Sequence, residues 1–213
     1  MTMIRALVSA IFLTLSGASS FAQPVAVAAS GPEVKWAAGD VLRYQNSGYH
    51  NNNVRYFTMT FKEYRGEDMI FVFRWEDGEG GPQERTYDKF GNIVRTPTVE
   101  FSPNNPWVNL EAMVSGKEWT AKYVDKRPHE TKARTRTATP VGQEGHVLTD
   151  TKVVIPAYTI RAYNKWDQAE RAAPELYSYC PTLNMVFAYQ STDFDAKWRI
   201  IDVRRAQAVA AIK

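Results

Sequence analysis

Residues 54–75, VRYFTMTFKEYRGEDMIFVFRW, read as two β-strands joined at a glycine. Phe57, Met59 and Phe61 alternate with Tyr56, Thr58, Thr60 and Lys62, and Met69, Phe71, Phe73 and Trp75 repeat the pattern. A period of two puts each apolar set on one face of its strand. Gly66 suits the left-handed position of a three-residue hairpin loop, placed either over Tyr64-Arg65-Gly66 or over Arg65-Gly66-Glu67. The first register sets Phe61 opposite Met69, Met59 opposite Phe71 and Phe57 opposite Phe73. The second keeps the same faces together and avoids opposing Glu63 to Glu67. An even-numbered loop breaks the match.

The meander extends outward to residue 98. Residues 76–82, rich in glycine, reverse the chain into a strand over 84–90, and Gly91-Asn92 reads as a two-residue hairpin turn into 93–96. That turn sets Phe90 opposite Ile93 and Asp88 opposite Arg95. Upstream, Gly39-Asp40 is a turn before a short strand over 41–44, 46–53 is a polar loop, and 24–33 is a tail or a first edge strand. Downstream, 101–107 is a linker with two prolines and 109–115 is the one modest helix. Strands follow over 118–125, 131–139 and 151–163, where Val154, Tyr158, Ile160 and Ala162 share a face. Residues 166–174 read as helical or irregular, strands return over 185–191 and 196–204, and 206–213 is an alanine-rich tail.

The expected fold class is all-β: a single antiparallel curved sheet or partly closed barrel with a minor helical element. At 213 residues the chain is long enough for one domain with a sizeable core. Aromatic residues make up 13% of it, which suits strands, and the net charge of +3 is too small to point to nucleic acid. At the N-terminus, Met1 to Arg5 is basic, 6–15 is apolar, and Ser20-Phe21-Ala22 is a small-x-small cleavage signal. The apolar run is well short of the ~20 residues a spanning helix needs. Residues 1–22 therefore read as a signal peptide cleaved near Ala22, and 23–213 as a single antiparallel β domain, periplasmic or secreted and not membrane-spanning.

Three segments strengthen that reading. Residues 110–119, LEAMVSGKEW, carry an apolar pair, a glycine and a tryptophan three residues on; 153–163, VVIPAYTIRAY, and 179–186, YCPTLNMV, add a proline-centred strand and a proline turn. Together they resemble a loose group of exported bacterial β-rich proteins of largely unknown role, with Gly-x-x-Trp and Val-Pro-Ala-Gly-x-Phe type segments. Tyr158 and Asn184 stand where that group has glycine. The resemblance implies an antiparallel β fold and an exported location, and it contains no catalytic set.

The apolar face of Phe57, Met59, Phe61, Phe71, Phe73 and Trp75 is the candidate ligand-binding surface, able to take a small hydrophobe or a lipid if the chain covers it only in part. Lys132, Arg134 and Arg136 project together from one strand and form the candidate partner-binding stripe, for an acidic protein or anionic lipid, against the commoner role of protecting an edge. His50, His129 and His146 lack metal-ligand spacing and read as surface or turn residues, and no cofactor is expected. Asp77-Gly78-Glu79 with Asp68 or Glu84 reads as a solvated turn rather than a calcium loop. Cys180 reads as a buried small hydrophobe. The leading expectation is a non-enzymatic envelope protein that binds a small hydrophobic ligand; the alternatives are an interaction module using the basic stripe, or a hydrolase whose carboxylates, Glu175, Asp193 and Asp195, meet only in the fold.

Overall fold

The computed structural model describes residues 35–48, 53–193 and 195–206. The expected leader over 1–22, the 24–33 tail and His50 lie outside them. The described chain runs through β1 (Val41–Ser47), β2 (Val54–Arg65), β3 (Asp68–Trp75), β4 (Gln83–Tyr87), β5 (Ile93–Arg95) and β6 (Glu100–Ser102). The helix α1 (Leu110–Ser115) comes next. Then follow β7 (Trp119–Lys126), β8 (Thr131–Val147), β9 (Val154–Trp166), β10 (Ala173–Cys180), β11 (Met185–Ser191) and β12 (Ala196–Arg204). Each strand pairs antiparallel with its neighbour in sequence, and β1 also pairs with β12. The sheet is a closed up-and-down barrel.

The β2–β3 hairpin takes the second register over its body, with Phe57 opposite Trp75, Met59 opposite Phe73 and Phe61 opposite Phe71. It arrives there by a route the alternation does not reveal. The loop is the two residues Gly66 and Glu67, and a bulge between Phe61 and Glu63 supplies the extra residue that restores parity. The β4–β5 turn is longer than two residues. Tyr87 pairs with Ile93 and Thr86 with Arg95, leaving 88–92 as a loop organised by Asp88, whose Oδ1 accepts from the Phe90 and Asn92 amides, both at 2.9 Å. The reason is Gly91, which sits at φ +82° with its α-carbon against the Asn184 carbonyl, where no side chain fits. The helix is capped as its sequence invites: the Asn109 side chain accepts from the Ala112 amide at 3.0 Å, and Gly116 closes it at φ +68°.

Strand alternation sends the apolar sets inward. Leu42, Tyr44, Phe57, Met59, Phe71, Phe73, Tyr123, Ile160 and Tyr177 are buried, while Thr58, Thr60, Lys62, Arg74 and Lys122 are on the opposite faces of their strands. Threonine, lysine and arginine on the outer face of these strands are the reverse of a lipid-facing band. Among the described residues no helix is long and apolar enough to cross a membrane. The β8–β9 hairpin bends at a bulge between Pro140 and Gly142 and continues past β10, so Tyr158, Ile160 and Ala162 are buried but Val154 is exposed. Its far end crosses to β12 and β1: the Asp150 amide donates to the Ile201 carbonyl at 3.1 Å, and Arg43 meets Asp150 at 2.9 Å.

Closure between β1 and β12 is held by Asp40. Its Oδ2 accepts from the Ala37 amide at 2.9 Å and from Arg205 at 2.8 Å, and its Oδ1 accepts from the Ala206 amide at 2.6 Å. Burial pushes the carboxyl pKa up, but the bonds from Ala37, Arg205 and Ala206 outweigh it and hold the group below its ordinary value. A pKa depressed on folding contributes stability that is full above the unfolded value of about 3.9 and is lost as pH falls through the folded value. Asp40→Ala is expected to lower stability by about 1.5–3 kcal/mol at pH 7. Urea midpoints of variant and parent, measured from pH 7 down to pH 3, should converge at the acid end.

Candidate functional site

The lumen has an apolar half and a polar half. In the apolar half the inward residues of β1 to β5 and of β11 and β12 leave a cavity of about 370 Å3, within the ~300–1,000 Å3 range of small-molecule sites. It runs from Asn46, Trp75 and Trp198 at one end to Tyr87, Gly91 and Met185 at the other. Its wall is aromatic. Tyr44 stacks on Phe57 with centroids 4.6 Å apart, and Phe57 meets the edge of Trp75 at 5.4 Å. Trp107 enters from the β6–β7 connection and stacks on Tyr189 at 5.2 Å and on Trp198 at 6.2 Å. One charged side chain among the described residues, Arg85 of β4, lines the cavity.

Four of the six residues expected to bind ligand, Phe57, Met59, Phe73 and Trp75, are in this wall. Phe61 and Phe71 are not. They pack below it against Trp36, with Phe71 wholly buried among Trp36, Phe61 and Tyr87. The face was one in sequence, but the barrel covers its lower part with the chain entering β1.

The polar half corrects the basic stripe. Arg134 and Arg136 point into the lumen and are buried, with Arg136 only 1% exposed, so they present nothing to a partner; Lys132, at the rim, pairs with Glu130 at 2.8 Å. The shared face was read properly, but it is the inner one. Arg134 meets Asp125 at 2.7 Å, and Arg136 meets Glu175 at 2.9 Å and donates to Asn105. Glu175 also accepts from Tyr189 at 3.1 Å and from Asn164 at 3.3 Å, while Tyr177 donates to the Trp107 carbonyl at 2.7 Å. Burial works against the Arg136 charge, but Glu175 and the tyrosines around it more than offset that and raise its pKa. Burial, with Glu175 adding to it, pushes the Tyr189 hydroxyl well up.

Sequence reading missed Asp125, Asn105 and Arg85. A signal for Asp125 existed: it shares strand parity with Trp119 and Tyr123, so an acid on an apolar face marked a buried partner. Glu175 shares parity with Tyr177 and Tyr179 in the same way.

The remaining candidates do not assemble into a site. Glu175 is committed to Arg136, whereas Asp193 and Asp195 sit exposed in the β11–β12 turn, so the three proposed hydrolytic carboxylates are not a constellation. Asp77 and Glu79 both hold Arg55, at 2.8 and 2.5 Å, and Glu84 holds Lys62. His129 is exposed, but His146 departs from the surface reading: it is half-buried on β8 with its ring 4.7 Å from Phe187, and burial lowers its pKa. Cys180 is fully buried beside Thr182 at 3.1 Å, and burial pushes its thiol up, away from reactivity.

No protein-family model matches the chain, and no curated protein matches it. Among solved structures, the hypothetical lipoprotein YmcC from Escherichia coli is similar with a TM-score of 0.48 at 7% identity, over 81% of this chain and 89% of that one. A protein from Parabacteroides distasonis, provisionally assigned as a lipoprotein, is similar with a TM-score of 0.48 at 7% identity, over 79% of this chain and 96% of that one. A protein from Bacteroides fragilis with a YmcC-like fold, provisionally assigned as exported, has a TM-score of 0.39 at 7% identity, over 80% and 97%.

Proposed function

We propose that this protein is an exported, non-enzymatic carrier or sensor that holds one small hydrophobic molecule or lipid chain in the barrel lumen. The leader pattern at the N-terminus supports export, and the observation that carries the reading is the 370 Å3 aromatic cavity. This cavity is open to solvent on one side, and its lining of Phe57, Phe73, Trp75, Trp107 and Trp198 leaves apolar surface that a hydrophobic ligand would remove from water.

The test is native mass spectrometry of the mature protein purified gently from its own envelope, followed by unfolding and lipid extraction. A discrete mass released on unfolding is the expected result. In parallel, the apolar dye N-phenyl-1-naphthylamine should brighten on binding the emptied protein. Ile93→Trp, which places a larger ring in the wall, should weaken that binding at least tenfold at a stability cost of about 1–3 kcal/mol. A bare mass together with no dye binding removes the reading.

A further inference from the structure

Arg85 is a cation placed in an apolar wall. Its guanidinium carbon lies 3.9 Å from the centre of the Phe73 ring, and it reaches the Tyr87 hydroxyl. Its Nε is nevertheless buried without a hydrogen-bond partner. No carboxylate among the described residues pairs with it, and its neighbour Glu84 faces the other way, to Lys62. Trp107, buried in the same wall, also has its indole Nε1 unpartnered. These two unanswered groups are both donors, and neither can accept a bond.

Buried donors are normally satisfied, and an arginine in an apolar setting is normally paired. The cation–π contact offsets part of the desolvation, but it leaves the Nε–H unanswered and the charge without an anion. What the cavity lacks is an anion: its lining includes Arg85 and no carboxylate. Around these donors the wall is aromatic and aliphatic, which suits a hydrocarbon chain.

Resting on the lumen reading above, we infer that the ligand is a single-chain anionic amphiphile, its acidic head held by Arg85 and its chain along the aromatic wall. The head is a carboxylate or a phosphate ester, since either offers the oxygens that a guanidinium fork accepts. A neutral chain of equal length fills the same space and leaves the cation unanswered. The pocket therefore discriminates by charge at one end.

The experiment is calorimetric titration of delipidated protein with decanoate, decyl phosphate and decanol, on the parent, Arg85→Met and Arg85→Lys. The parent is expected to bind one or both anions at least tenfold more tightly than decanol, and the stronger of the two names the head. Arg85→Met should bind decanol as the parent does and lose the preference for the anion; Arg85→Lys should retain part of it. Thermal melts of the three proteins establish that each is folded. A parent that prefers decanol, or an Arg85→Met variant that keeps the anion preference, overturns the inference while leaving a hydrophobic carrier in place. Failure of all three probes to bind the parent overturns the carrier reading itself.

Discussion

Glu175→Ala is expected to destabilise the protein by about 3–5 kcal/mol, the range for removing one partner of a buried ion pair. For a domain of this size that is a fall in melting temperature of roughly 6–20 °C. Both members of the pair have side chains only 2% exposed, and Glu175 is the shared acceptor for Arg136, Tyr189 and Asn164. Truncating it strands a cation and two neutral donors in the lumen at once. Most of the loss comes from Arg136 left uncompensated, and not from the attraction itself. That separates into a second result: the double variant Arg136→Met with Glu175→Leu, which removes the charge along with its partner, should recover most of the stability. Glu175→Gln, which keeps an acceptor oxygen, should fall between. Urea unfolding of the four proteins measures this, and a double variant no better than Glu175→Ala would show that the pair is intrinsically stabilising.

Phe71→Ala is expected to cost about 3–5 kcal/mol. Phe71 is fully buried, with Trp36 at 5.4 Å, Phe61 at 5.3 Å and Tyr87 at 5.7 Å around it. Backbone pairing with β2 and β4 on either side keeps the wall from collapsing into the space, so the cavity term adds to the lost burial. The same variant should leave dye affinity at the lumen cavity within about threefold, because Phe71 does not line it. Val154→Ala, on the exposed end of β9, should change stability by less than about 0.5 kcal/mol and serves as the control. Large loss of stability with unchanged binding separates the core residues of the apolar face from its ligand-facing ones, which the sequence presents as a single set.

The strands that announced themselves did so through alternation. β2 and β3 show it over Phe57 to Trp75, and β11 and β12 were located to the residue by apolar runs bounded by turns. Strands carrying polar inward residues were harder. β10 holds Glu175 on the same face as Tyr177 and Tyr179, and β6 is three residues in a stretch with two prolines, so neither reads as a strand by hydrophobic period. The helix was legible because its caps, Asn109 and Gly116, are local signals. The β2–β3 loop was less so, since a bulge can repay parity that a two-residue loop removes, and bulges leave little trace in sequence.

For the candidate site, side-chain chemistry and strand parity are local properties, so the sequence by itself determined the antiparallel β architecture. It also determined the inward set of Phe57, Met59, Phe73 and Trp75, and the common face of Lys132, Arg134 and Arg136. Whether that basic face looked outward or inward depended on pairings between residues far apart in the chain. Arg136 meets Glu175 39 positions away and Asn105 31 positions away, and only closure of β1 on β12 brings such residues around one lumen. The tertiary structure alone decided that Arg134 and Arg136 of the basic stripe belong to an interior network, that Phe71 is core, and that Arg85 stands without a carboxylate partner in an aromatic cavity. Pairing, enclosure and desolvation are properties of the closed barrel, and no window of sequence contains them.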